Sequence, residues 1–192
     1  MDWILASASP RRKQLLGELV PRFEIIPAKG EENAPSGITG AELVKALATQ
    51  KAEEVASLSI ADKKAVLGAD TIVCLDGETL GKPKNPSDAV RMLQNLSGRK
   101  HQVYTGVCIV YTNENGERQK LVDADCTDVY FNRLDETFIR DYVAGGSPMD
   151  KAGAYGIQDG GLVERIDGSF SNVVGLPVEL CKRMIAKVEK GN

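Results

Sequence analysis

Aromatic side chains are scarce in this sequence: one Trp, five Tyr and four Phe make up 5% of 192 residues. That is too few for a base-stacking platform along single-stranded nucleic acid. Surplus positive charge is also missing. Lys and Arg number 24 against 27 Asp and Glu, giving a net charge of −3, so there is no global basic field and no nucleic-acid partner is expected. The only histidine, His101, has no serine or cysteine at a suggestive spacing. A Ser-His or Cys-His nucleophile is therefore disfavoured, and His101 reads as a strand-edge residue. The four cysteines, Cys74, Cys108, Cys126 and Cys181, form no Cys-x-x-Cys pair. They read as reduced core thiols of a cytoplasmic protein, not as a zinc site or a disulfide frame. Long apolar runs are absent as well. The N-terminal run Trp3-Ile4-Leu5-Ala6 ends at a seryl loop, so neither a signal peptide nor a membrane span is expected. No repeat, low-complexity tract or linker divides the chain.

What is present is an ordinary globular balance, 42% hydrophobic and 27% charged. At ~150 residues per domain this length makes one domain, residues 1–192, with two lobes at most. It can bury roughly 70% of its unfolded surface.

The first informative stretch is Ser7-Ala8-Ser9-Pro10-Arg11-Arg12. It follows a strand-like run and precedes Leu15, Leu16 and Leu19, which share one helical face. Ser9 suits the N-cap and Pro10 the first helical position. Arg11 and Arg12 then break a local rule, because two cations are placed where the helix dipole and free amides are already positive. A polyanion at the same spot would reverse that penalty, gathering amides, Ser7, Ser9 and both guanidinium groups around its oxygens. Arginines pointing into water are the alternative.

A helix starting at Thr39 or Gly40 carries Lys51 one position off its Leu47-Ala48-Ala52 stripe. Lys51 is either a solvated flank or a residue leaning toward a cleft edge. Ahead of that helix, residues 28–40 read as a loop holding Glu31 and Glu32. Residues 65–75 form a nearly continuous apolar run, as in a strand buried on both faces, and Asp70 interrupts it. A carboxylate there must be paired, neutralised or bound to a metal. Gly68 and Ala69 leave room for a ligand to approach the backbone.

Downstream, Asp76-Gly77 turns a hairpin whose return strand leads to Gly81-Lys82-Pro83, a loop presenting one lysine. Ser87 is expected to cap the next helix, residues 102–112 and 119–131 to form two or three strands, and Asp135 to cap a helix ending at Gly145-Gly146. Residues 150–158 alternate small and polar side chains, so the backbone can pass close to something flat or charged. Ser171–Val174 reads as a strand, and Pro177 opens the last helix.

Taken in order, Ser7–Arg12, Gly68-Ala69-Asp70-Thr71, Gly81-Lys82-Pro83, Leu96-Ser97-Gly98 and Asp150-Lys151-Ala152-Gly153-Ala154-Tyr155-Gly156-Ile157-Gln158 resemble the Maf family of nucleoside triphosphate pyrophosphatases, historically called septum formation inhibitors. The resemblance implies an α/β fold of the Maf/inosine-triphosphatase type, an elongated molecule with a mixed twisted sheet, flanking helices and a cleft between two lobes. It implies metal-dependent hydrolysis (Mg²⁺ or Mn²⁺) of a nucleoside triphosphate to the monophosphate and pyrophosphate, and a possible homodimer. Asp70 matches the proton acceptor, Glu32 the loop acid near the metal, and Lys51 and Lys82 two active-site lysines. Arg11, Thr71 and Gln158 match positions tied to substrate choice. The form of residues 150–158 resembles the branch acting on dTTP and UTP, a house-cleaning activity. On that reading Asp70 and Glu32 hold the metal, Gln158 reads the base edge, and Tyr155 walls a pocket too tight for purines. The rival expectations are a nucleotide-binding regulator of cell division with little turnover, and a phosphatase releasing only orthophosphate.

Overall fold

A computed structural model describes residues 1–34 and 36–190; residues 35, 191 and 192, including one position of the 28–40 loop, lie outside it. Thirteen α-helices and β-strands are formed by the described residues, besides three short 3-10 turns. In order they are β1 (Trp3–Leu5), α1 (Pro10–Gly17), β2 (Glu24–Ile25), α2 (Gly40–Ala56), β3 (Ala65–Leu75), β4 (Glu78–Leu80), α3 (Pro86–Leu96), β5 (Lys100–Thr112), β6 (Arg118–Phe131), α4 (Glu136–Ala144), β7 (Val163–Asp167), α5 (Phe170–Val174) and α6 (Val178–Lys190). The strands form one mixed sheet in the order β2-β1-β3-β5-β6-β7, with β4 also on β3. This is the mixed α/β sheet with flanking helices that the sequence implied.

Local chemistry sets many of the boundaries. Ser9 caps α1 by accepting from the Arg12 amide, with Pro10 at the first helical position. Asp135 caps α4 by accepting from the Phe138 amide. In α3 the cap is Asn85, whose side chain accepts from the Asp88 amide, and Ser87 lies inside the first turn instead. Residues 118–131 are one unbroken strand. The Ser171–Val174 run is helical, contrary to its β-branched look: Ser169 accepts from the Asn172 amide and Gly175, at φ +127°, ends the turn. The strand in that region is β7, which precedes it.

One face of the sheet packs on α1 and α6 through Leu5, Leu67, Ala69, Ile109, Leu16 and Met184. The opposite face lies directly under α2. There Gly106 and Gly68 make notches: a Cβ on Gly106 would stand 2.2 Å from the Val44 carbonyl oxygen, and one on Gly68 2.6 Å from that of Ala48. Gly68 therefore serves the approach of a helix backbone, not of a ligand. A second core joins α3 and α4 to Val73, Val103, Phe131 and Tyr155.

His101 belongs to that second core. It is fully buried, not at a strand edge; its Nε2 is 2.8 Å from the Tyr155 hydroxyl and its Nδ1 has no hydrogen-bond partner. Burial holds the imidazole down to about 4, with Asp128 acting in the opposite sense. The unfolded chain binds a proton near pH 6.5 and the folded one only near 4, so stability rises with pH across that window and is flat above it. The expected loss on acidification from pH 7 to 4 is about 3 kcal/mol from this group alone. Urea unfolding at pH 4 and 7 measures it. The difference should shrink in His101→Gln, which can keep a bond to Tyr155; an unchanged difference would show that another group titrates. Among the cysteines, Cys74, Cys108 and Cys181 are buried, whereas Cys126 is exposed on β6 and does not belong to the core.

Candidate active site

The site arises from an interruption in sheet pairing. On one side β3 pairs with β5 from Val66 to Cys74. On the other, β1 covers only Ala65–Leu67 and β4 only Val73–Leu75. Residues 68–72 of β3 thus have no strand neighbour along that edge, and a cleft of about 840 Å³ opens beside them. Side chains from both faces of the sheet reach it. Asp70 lies opposite Gly106, on the α2 face, and Thr71 opposite Thr105, on the other.

The cleft collects the ten residues expected to bind substrate, bind metal or act in catalysis: Ser7, Ser9, Arg11, Arg12, Glu32, Lys51, Asp70, Thr71, Lys82 and Gln158. They come from the β1–α1 loop and α1, the loop before α2, α2 itself, β3, the turn after β4, and the segment following residue 150. Gln158 and Lys82 are exposed at its rim. Tyr155 lines it too, but the ring is packed against Phe131 at 4.7 Å and its hydroxyl is engaged by His101. It is thus a core residue with one edge on the cleft.

Two polar assemblies organise the interior. In the first, Lys51 Nζ donates to Asp70 Oδ1 at 2.5 Å and lies 2.8 Å from Glu32 Oε1. Asp70 is only 7% exposed, so this pairing supplies the compensation a carboxylate sunk in an apolar strand requires. The hydrogen bond from Lys51 also holds the Glu32 carboxyl below the usual carboxylate range, against a smaller opposing effect of burial. Lys51 reaches Asp70 because the glycine notches seat α2 directly on the sheet.

In the second, Arg12 is a clamp. Its Nε donates to the Gly175 carbonyl at 2.8 Å, and its two terminal nitrogens donate to Thr71 Oγ1 at 3.1 Å and Ser7 Oγ at 3.4 Å. Burial pulls its pKa below the ordinary arginine value, with Asp70 opposing. Thr71 also shares a hydrogen bond with Thr105, which donates to the Asn172 carbonyl. Asn172, fully buried, in turn donates to Val103 O and Thr127 Oγ1. This Asn172–Gly175 support was not anticipated from the sequence. The available signal was a Ser169 cap followed by Gly175-Leu176-Pro177, which marks a short helix and not a strand.

Arg11 stands apart from the clamp, its guanidinium 3.9 Å from the Asp150 carboxylate at the surface. At the same end of the cleft Asp159 accepts from the Tyr142 hydroxyl at 2.6 Å and the Ser147 hydroxyl at 2.8 Å.

Glu32 and Asp70 both contact the Lys51 ammonium, but no group of three His, Cys, Asp or Glu suited to a metal ion exists among the described residues. That donor set suits a hard cation that keeps most of its oxygen ligands from phosphates and water, as Mg²⁺ does, and not a cage built by protein alone. No helix among the described residues is long and apolar enough to cross a membrane.

A family model described as Maf-like protein matches residues 2–188. A dTTP/UTP pyrophosphatase of Geotalea uraniireducens is 48% identical over 177 residues, covering 91% of this chain and 89% of its own. One of Thermococcus kodakarensis is 47% identical over 179 residues, covering 92% of each. In architecture the chain is similar to a HAM1 protein from Coxiella burnetii, with a TM-score of 0.56 at 17% identity over 97% of this chain and 99% of that one. That likeness bears on the fold, whereas the family match and the close relatives span the sequence itself, and on their strength the chain belongs to the family of Maf-like proteins.

Proposed function

We propose that this protein is a nucleoside triphosphate pyrophosphatase acting on dTTP and UTP, releasing pyrophosphate and the monophosphate. The observation that carries the reading is a buried acid held by a lysine beside a clamped arginine, all opening into one cleft. The activity named for the relatives at 47–48% identity agrees with it. We further read the chain as one domain with two lobes, working in the cytoplasm as a homodimer.

The chemistry follows from the side chains. Arg11, Arg12, Lys51 and Lys82, with Ser7, Ser9 and the α1 amides, neutralise the phosphate chain and favour the charge that builds on departing pyrophosphate. Asp70 orients a water and takes its proton while the water oxygen bonds to the α-phosphorus and the α–β bridging oxygen leaves with pyrophosphate. Glu32 and Asp70 would hold Mg²⁺ or Mn²⁺, which when bound neutralises phosphate charge and acidifies water. Gln158, carrying both an amide donor and an acceptor, suits the alternating N3–H and carbonyls of thymine and uracil.

The test is product analysis over a panel of purine and pyrimidine triphosphates with and without divalent metal. Pyrophosphate from dTTP and UTP is expected; orthophosphate alone, or binding without turnover, would overturn the proposal. Within that panel Gln158→Ala should raise KM for dTTP and UTP and narrow their advantage over purine nucleotides by about tenfold, the loss of one or two hydrogen bonds. An equal loss for every nucleotide would show that Gln158 does not read the base.

A further inference from the structure

The ammonium of Lys51 sits between Glu32 and Asp70, the two acids to which the metal is assigned. It lies 2.8 Å from Glu32 Oε1 and 2.5 Å from Asp70 Oδ1, and its side chain is 18% exposed. Around those two carboxylates stand three cations, Arg12, Lys51 and Lys82. A bare divalent ion approaching this point meets a local excess of positive charge. It must also displace an ammonium that compensates a buried acid, with no third acidic, histidyl or thiol ligand grouped there among the described residues. A triphosphate changes each of these conditions. Its oxygens complete the coordination of a hard cation, and its charge reverses the sign of the local field.

We infer that Lys51 keeps the divalent cation out of the free protein, so that the cation enters only together with the nucleotide. This rests on the proposed function for the identity of the anion. Lys51 thereby has two successive partners: the carboxylate pair before substrate arrives, and the phosphate chain afterwards.

Water-proton relaxation enhancement by Mn²⁺ tests this on the full chain without turnover, since only Mn²⁺ held on a slowly tumbling protein enhances strongly. Wild-type protein with Mn²⁺ alone should give no enhancement, and adding the non-hydrolysable α,β-imido analogue of dTTP should produce it at one ion per chain. Enhancement by Mn²⁺ alone at one ion per chain would overturn the inference, as would its absence in both conditions. The pyrophosphate assay reports on hydrolysis separately, so the two readings can fail independently. Lys51→Met removes the competing charge and leaves the carboxylates, so Mn²⁺ alone should bind about tenfold or more tighter than to wild type. No gain in the folded variant would overturn the assignment to Lys51. If Lys51→Met does not fold, Lys51→Gln, which removes the charge and keeps a donor for Asp70, carries the same comparison, and no gain there would equally overturn the assignment.

Discussion

Asp70→Asn is expected to lower kcat for pyrophosphate release from dTTP or UTP by about 10²- to 10⁴-fold, the span usual for loss of a positioned general base. The substitution is nearly isosteric. Its amide oxygen can still accept from Lys51, which now donates to Asp70 at 2.5 Å, so strand β3 and helix α2 should keep their packing. What disappears is the negative charge and the ability to take a proton from water. The drop should therefore fall on kcat more than on KM, with the melting curve little changed. Turnover within a few-fold of wild type would remove Asp70 from the proposed mechanism. A collapsed melting curve would show instead that the residue acts mainly as the counter-charge of Lys51.

Replacing Arg12 by Lys should damage both stability and activity, although charge is conserved. One guanidinium now ties Gly175 O, Thr71 Oγ1 and Ser7 Oγ, three points at the end of α5, on β3 and in the β1–α1 loop. A single ammonium lacks the planar fork that reaches all three. Leaving the Gly175 carbonyl or its neighbours without a donor costs about 1–3 kcal/mol, or a fall in Tm of about 2–10 °C for a chain of this size. The loop and β3 would also shift relative to each other, and a misplacement of about 1 Å can cost about 10²-fold in rate. Thermal melts and kcat/KM measured on the same preparation check the two effects. If neither moves, Arg12 is a surface charge and not a clamp.

Both predictions involve residues that were visible in the sequence for reasons of local chemistry. Asp70 stood out because a charge in an apolar run has no cheap solution, and Arg12 because it followed Pro10 into an already positive helix start. What each of them touches was not visible. Arg12 and Gly175 are 163 positions apart, and nothing in the neighbourhood of either announces the other. The polar signal of Ser169 to Gly175 was present, but the β-branched Val173 and Val174 outweighed it, and a one-and-a-half-turn helix leaves little periodicity to detect. His101 likewise sits in an alternating run that fits a strand edge; its burial depends on α3, α4 and the segment carrying Tyr155 closing over β5.

The sequence alone determined what nearest neighbours and short periods control: the Ser9 and Asp135 caps, the Asp76-Gly77 turn, the apolar strand around Asp70, and the helix that carries Lys51. Hydrogen bonds within a few residues and one-sided apolar spacing decide those features, and both are written linearly. The tertiary structure alone decided that β1 and β4 leave residues 68–72 of β3 uncovered, and that glycine notches seat α2 directly on the sheet. It also decided that Lys51 reaches between Glu32 and Asp70. The physical reason is that packing distance and the pairing of buried charge depend on which elements meet, and that is settled only when the whole sheet has assembled.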